Sequence, residues 1–529
     1  MKRREFLAKS GLLIGGFPFL SRLPSTPEKA PTATAPEKKP QPRISCETSD
    51  SQYQTVYSRA LDVLARNTTQ VSGYSQPVLI EGSNYSGIWL ECAPQEGLAY
   101  SCIRPDVARN NHLAFFALQR EDGQIPCWSR TTAIGLGQIQ MVVPIAATAW
   151  ELAQQSGDSE LLEKAYSGCS RWDAWLRHYR DTRHGGLCEG FCTWDTGHDN
   201  SPRWAGMPNR CPDADARRCP PVPSLPRLCP DLSATVYGGR IALAAMARAL
   251  GKNSEADHWL ADADDIRRAI IEKLYCAEDA SFYDRDAQDQ FVRIRSDVIS
   301  RVLGEHVVDQ KLFDTVYQRQ IHDPAAFWAT YPLPSIALND PAFVRPIPRN
   351  SWGGASQALT ALRAPRWMEH YGKSVDLAHL MQQWINAIVR EGKFLQQMDP
   401  LNGGFTPDTG DYSPAALVFL DFTWRLSGVR LMEDSLEWNV RPVTNGRSSY
   451  RLQITPTRTA EIKYAQGQAE LFLNGRQLCR TNQTVRLITD LDGKLQKVVA
   501  IAPGKAGAIL WHGQRISPEP NGSTSIESH

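Results

Sequence analysis

The sequence predicts a mainly helical fold: a toroid of paired helices, followed by a small antiparallel β module. Three observations predict it. Apolar residues recur with a helical period from about residue 47 to residue 428. The stretches between periodic segments are long and rich in Gly, Pro, Asp and Trp, which suits one core carrying elaborate loops at one end. After about residue 429 the texture changes to short alternating runs rich in β-branched residues. A helical solenoid is the rival architecture, but no repeat of fixed short period runs through the chain.

The first residues, MKRREFLAKSGLLIGGFPFL, place Arg3 and Arg4 ahead of Phe6 and Leu7 and a short apolar run from Gly11 to Leu20. This is the pattern of a twin-arginine export signal, assigned to residues 1–24, and it implies a periplasmic or extracellular destination. The run also suits an uncleaved signal anchor, because Pro36 follows the nearest small-x-small triplet, Ala33-Thr34-Ala35. Residues 25–46 are Pro, Lys, Thr and Ala with few large apolar groups and read as a disordered tether.

Residues 47–428 carry the helices, about ten to twelve of them by period. Leu162, Ala165, Cys169, Trp172 and Leu176 form one stripe, with Asp158 or Ser159 placed to cap it. Trp259, Leu260, Ala263, Ile266, Ile270 and Leu274 form a second. Leu377, Leu380, Met381, Trp384 and Ile388 form a third, which Gly392 stops. The segments from Gln138 and from Leu232 are small and apolar around much of their circumference, as in helices packed on more than one side. Residues 429–520, with runs such as SYRLQIT, TAEIKYA and QAELFLNG, form the β module, expected to be sandwich-like and to serve as a packing lid.

Composition narrows the function. The 58 Lys and Arg almost cancel the 57 Asp and Glu, so neither a nucleic acid nor a membrane surface is an expected partner. A mean hydropathy of -0.38 and the lack of a long apolar run past the N-terminus argue against an integral membrane domain. The 12 Cys suit an oxidising compartment. Cys188, Cys192, Cys211, Cys219 and Cys229 cluster without the paired C-x-x-C spacing of structural zinc, so disulfides are expected and no metal site is. The 15 Trp are many, and indoles stack on the C–H faces of sugars as readily as they fill cores.

The densest chemistry lies in TWDTGHDNSPRW, residues 193–204. Gly197 and Pro202 break helix on either side, so this is loop. It concentrates Asp195, His198, Asp199, Asn200, Ser201 and Arg203 between Trp194 and Trp204. A carboxyl group beside apolar surface has its pKa raised by desolvation, which makes a general acid at neutral pH. Read from composition alone, the same residues equally suit a loop whose Asp and Asn cap helices. No nucleophile elbow, zincin, Walker or dinucleotide-binding pattern occurs in a convincing context.

The stretch DTGHDNSPRW resembles the signature loop of the trehalase and glycoside hydrolase family 63 clan, E-S-G-x-D-N-S-P-R-[FW]. The resemblance implies an (α/α)6 barrel and an inverting glycosidase that needs no cofactor and acts on an oligosaccharide. It puts Asp199 at the position of the general acid and Asp195 where the clan has Glu. Asn200, Arg203, Trp194 and Trp204 become sugar contacts. More distantly, NHLAFFALQREDGQIPCW (111–128) resembles an early barrel segment, and RNSWGGASQALTALR (349–363) resembles the clan's sugar-facing segment, adding Arg349, Asn350 and Trp352.

The second carboxylate departs from that pattern. An inverting enzyme needs a base about 6.5–9.5 Å from the acid, to activate water on the opposite face of the sugar. The clan takes it from E-x-Y-[DN]-P-x-[TS]-G, whereas this chain reads QQMDPLNGGFTPDTGDYSP from Gln396. Gln396 stands at the Glu position and Met398 at the Tyr position, and an amide takes no proton from water at neutral pH. Asp411, beside Tyr412, is the first replacement expected, then Asp408, then Asp399, with Glu391 if the register slips. Two other functions stay open: a glycan-binding protein that hydrolyses nothing, and a polysaccharide lyase.

Overall fold

The computed structural model describes residues 43–408, 410–504, 507–511 and 514–526. The expected export signal and most of the expected tether lie outside the described residues.

Twelve α-helices occur among the described residues: α1 Ser51–Arg66, α2 Ala93–Tyr100, α3 Pro105–Ala117, α4 Ile145–Ser156, α5 Ser159–Tyr179, α6 Pro230–Ala249, α7 Asn253–Leu274, α8 Val298–Gly304, α9 Gln310–Val316, α10 Ala358–Met368, α11 Ser374–Glu391 and α12 Ser413–Ser427. The capping residues act as their chemistry suggests. Asp158 Oδ1 accepts the Leu161 amide at 2.9 Å and opens α5, and Gly392 closes α11 at φ 62°. One expectation fails. The segment from Gln138 is irregular up to Pro144, and α4 begins only at Ile145. Gln140 has a positive φ of 44°, and the backbone here bonds to the loop of residues 191–204 instead of to itself.

Helices α2, α4, α6, α8, α10 and α12 touch in a cycle, with α12 returning to α2. The odd-numbered helices pack outside them: α3 on α2, α5 on α4 and α6, α7 on α6, α11 on α10 and α12, α1 on α12. The inner position of α12 is written in its sequence, since every residue from Ser413 to Leu420 is buried, as in a helix covered on all sides. Long segments precede each even-numbered helix, and these segments carry the candidate site.

The C-terminal module comprises two five-stranded antiparallel sheets. One runs in the order 429–431, 435–440, 485–490, 495–500, 523–525. The other runs Arg43–Thr48, 447–455, 458–465, 468–473, 476–481. Both sheets bury side chains in the same core, and the Tyr464 hydroxyl of the second donates to the Asn439 carbonyl of the first at 2.9 Å. The strand Arg43–Thr48 corrects the expected tether at its end. Cys46 is buried there, in register with Tyr450, because an alternating RISCET segment covers an otherwise open sheet edge. The module is anchored to the helices through Glu369 of the segment after α10, which meets Arg425 of α12 and Arg486 of the sheet.

The expected disulfides are also corrected. All twelve cysteines are free thiols, and Cys192 Sγ and Cys211 Sγ lie 3.9 Å apart, where a disulfide needs about 2.05 Å. Cys188, Cys192, Cys211 and Cys229 are fully buried, so in this cluster they act as small apolar fillers. No helix among the described residues is long and apolar enough to cross a membrane.

Candidate active site

The loop of residues 191–204 is held from beneath by buried charge. Asp195 is completely buried, and its carboxylate receives the Ile139 amide at 2.8 Å, the Phe191 amide at 2.7 Å and the Cys192 amide at 3.2 Å. The Arg180 guanidinium closes the cluster at 2.5 Å and 3.1 Å. Arg203 is equally enclosed. It forks onto Asp231 (2.7 Å twice) and onto Asp284 (2.8 Å and 2.6 Å). It also gives an N–H to His198 Nδ1 at 3.0 Å, so His198 Nε2 carries the proton it donates to Asp297 at 2.8 Å. Burial, then the Arg301 charge, lowers the His198 pKa to about 4, which keeps this imidazole neutral.

Above this framework stands Asp199. Its carboxyl accepts the Asn350 amide at 2.8 Å and the Trp194 side chain, and its backbone carbonyl accepts the Trp352 amide at 2.9 Å. Burial raises its pKa above the ordinary carboxylate range, although the two hydrogen bonds oppose the shift. Asn350 turns its other end to Gln396 (3.0 Å), whose carbonyl oxygen accepts the Tyr85 hydroxyl at 3.0 Å. Asp199, Asn350, Gln396 and Tyr85 therefore form one continuous wall. Arg349 is exposed beside it and paired with Asp408 at 3.2 Å, and Asp408 also accepts from Asn84 at 2.6 Å. Asn200 is exposed, with φ 54°, and donates to the Asn350 carbonyl at 2.7 Å.

Two acids that the motif reading passed over complete the site. Glu91, just before α2, lies against Gly197, where a Cβ would fall 1.7 Å from its Oε2. Gly197 itself has φ 63°, so both its backbone angle and its missing side chain let the loop close onto Glu91. Burial, then the nearness of Asp199, raises the Glu91 pKa to about 7. Glu81 is buried too, accepts the Tyr412 hydroxyl at 2.7 Å, and comes within 4.8 Å of Glu91, oxygen to oxygen. The segment IEGSNYSGIWLE that carries both has the Gly-, Asn- and aromatic-rich texture of the 193–204 loop, and that texture is the signal by which they could have been found.

The structure sorts the residues singled out from sequence. Asp199, Trp194, Asn200, Arg349 and Gln396 come together in one cluster, Arg349 through its neighbour Asn350. Asp195 and Arg203 are framework, with every strong donor or acceptor direction taken by protein. Trp204 is 2% exposed, donates to Thr196 at 2.9 Å and is covered by Arg227. Trp352 is 3% exposed, wedged between His198 and Arg301. Neither indole has a free face for a sugar. Tyr412 is buried and serves Glu81. Asp411 turns to Arg66 (3.0 Å) and Arg59 (3.5 Å) of the outer helix α1. Asp399 is a turn residue, accepting the Leu401 amide at 2.8 Å and pairing with Arg345. Glu391 ends α11 beside Arg390, on an exposed surface.

A carboxyl with a raised pKa thus stands in a hydrogen-bonded chain of amides and a phenol, on segments that lead into the cycle of inner helices. The sequence profile of the mannosylglycerate hydrolase MGH1-like glycoside hydrolase domain matches residues 96–424, and the chain belongs to this family of glycoside hydrolases. No curated protein sequence matches the chain. Among solved structures, the family 63 mannosylglycerate hydrolase from Thermus thermophilus is similar at TM-score 0.58 and 18% identity, over 70% of this chain and 100% of that one. The neutral trehalase of Saccharomyces cerevisiae is similar at TM-score 0.51 and 13% identity, over 66% and 73%. The family 78 rhamnosidase of Bacillus sp. GL1 is similar at 0.55 and 12%, over 82% of this chain and 41% of that one. At these identities the likeness is one of fold.

Proposed function

We propose that the chain hydrolyses a glycosidic bond of a di- or oligosaccharide with inversion, on an (α/α)6 toroid, outside the cytoplasm. The observation that carries the reading is Asp199. It is a half-buried carboxyl whose pKa is raised by desolvation, held by Asn350 and Trp194 on the segment leading into α6, in a chain of glycoside hydrolase family. Asp199 protonates the leaving oxygen as the bond to the anomeric carbon breaks. Trp194 offers the half-buried aromatic face, while Asn200 and Arg349 reach sugar hydroxyls at the rim. No cofactor is needed for this chemistry. The twin arginines Arg3 and Arg4 support export.

The test is reducing-sugar release from a panel of α- and β-linked gluco-, manno- and rhamno-oligosaccharides. Asp199→Asn should lower release by about 10²–10⁴-fold, the usual worth of a positioned acid. Release that survives in the variant refutes the assignment. Gln396 favours one second reading, a glycan-binding protein without turnover, since an amide stands where the clan keeps its base. In that case calorimetry detects binding, no sugar is released, and Asp199→Asn changes no rate.

A further inference from the structure

The reading above leaves the water-activating base without an owner, and three observations converge on one residue. First, the topology. Asp199 lies on the segment leading into α6, whose inner neighbours are α4 and α8. Helix α12 stands opposite α6 in the cycle, with α2 and α10 on either side of it. A base must stand across the sugar from the acid, so it is to be sought first on the segment leading into α12 and then on those fastened to it.

Second, the carboxylates of the segment before α12 are spoken for. Asp411 faces α1, Asp399 holds a turn, and Asp408 is neutralised by Arg349 and Asn84. Gln396 occupies the motif position with a group that accepts no proton.

Third, Glu81 of the segment before α2 is fastened directly onto the segment before α12. Its carbonyl accepts the Ser413 amide at 2.8 Å, its carboxyl accepts the Tyr412 hydroxyl at 2.7 Å, and the adjacent Gly82 bridges to Tyr412. The ring of Tyr85, which bonds Gln396, packs edge-on against that of Tyr412 at 6.1 Å. Burial, then the charges of Glu81, Asp199 and Asp408, pushes the Tyr85 phenol upward. Glu91 does not compete for the role, because its Oε2 abuts Gly197 on the Asp199 side.

Resting on the proposed hydrolysis, we propose that Glu81, on the loop fastened beside the clan's base position, is the catalytic base, while Gln396 and Tyr85 orient the water. In the step, the water oxygen forms its bond to the anomeric carbon and gives one proton to Glu81. The glycosidic C–O bond breaks, and the leaving oxygen takes the proton of Asp199. Glu81 then releases its proton to solvent and Asp199 takes one up.

The experiment compares full-length wild type, Asp199→Asn, Glu81→Gln, Glu81→Ala and Asp411→Asn on the oligosaccharide panel and on the glycosyl fluorides of the same sugars. Fluoride leaves with little help from an acid but still requires an activated nucleophile. Asp199→Asn should lose oligosaccharide cleavage and keep fluoride hydrolysis within about tenfold, whereas Glu81→Gln should lose both by about 10³-fold. Azide should restore turnover of the fluoride by Glu81→Ala and yield the inverted glycosyl azide, a product that only a folded enzyme lacking its base can make. Asp411→Asn should match wild type. Wild-type rates in Glu81→Gln, or a loss in Glu81→Ala that azide does not repair, would overturn the assignment and leave the hydrolase standing. A wild type silent on every sugar and fluoride would overturn both.

Discussion

Glu96→Gln probes the buried acids of this site through folding stability. Glu96 lies in the first turn of α2, is 0% exposed, and neither carboxyl oxygen accepts from an N–H or O–H group among the described residues. Burial raises its pKa from 4.5 to about 8, with the Cys92 thiol alongside as its main polar relief. Between those two values the native chain holds a proton that the unfolded chain has already released. The stability it confers is therefore complete below about pH 4.5 and is lost as pH rises toward 8. At about 1.4 kcal/mol per pH unit, the loss reaches about 3 kcal/mol at pH 7 and about 5 kcal/mol above pH 8. Gln keeps the shape and removes the titration. A helical domain of this length loses roughly 0.8 kcal/mol per degree at its midpoint, so the variant should melt about 4 °C above wild type at pH 7. At pH 4.5 the two should melt together. Scanning calorimetry at pH 4.5, 6, 7 and 8.5 makes the comparison. Two melting profiles that stay parallel across this range would refute the argument and mean that Glu96 keeps an ordinary pKa.

Two further perturbations test how the site is held. Asp195→Asn removes the only carboxylate among the described residues that pairs with the fully buried Arg180. Leaving that charge unpaired should cost about 3–5 kcal/mol in urea unfolding, with sugar release falling as the 191–204 loop loosens. Asn350→Ala deletes a hydrogen bond that favours ionised Asp199. The rate of a general acid is lost as pH rises through its pKa, so the alkaline limb of kcat/KM should move to higher pH in this variant, and a limb that stays or moves down contradicts the role given to Asp199.

The parts of the fold that a period can report were legible. The stripes of α5, α7 and α11 and their caps lie in the sequence, because a helix with one wet face must write that face as a 3.6-residue repeat. The irregular run from Gln138 to Pro144 was not legible. Its apolar residues are buried by the loops it crosses, and its backbone bonds go to Asp195, a partner more than fifty positions away. The same holds for Arg43–Thr48, whose strand partners lie some four hundred residues later. Local pattern carries no trace of pairing at that separation.

The site divides along a similar line. A motif marks residues that must occur together and does not distinguish those that face a ligand from those that make the loop rigid. In DTGHDNSPRW only Asp199 and Asn200 turn side chains to Asn350, while Asp195, His198, Arg203 and Trp204 are spent on Arg180, Asp297, Asp231, Asp284 and Thr196. The reason is electrostatic. A general acid must be desolvated to hold its proton, and a loop that buries it loses water as a partner for its own polar backbone. Asp195 restores three of those bonds with one carboxylate, and Arg180 makes that carboxylate tolerable in the interior. Charge in the framework and charge on Asp199 are then one requirement, which is why a loop signature marks the proposed acid but is silent about a residue such as the proposed base, Glu81, which belongs to another segment.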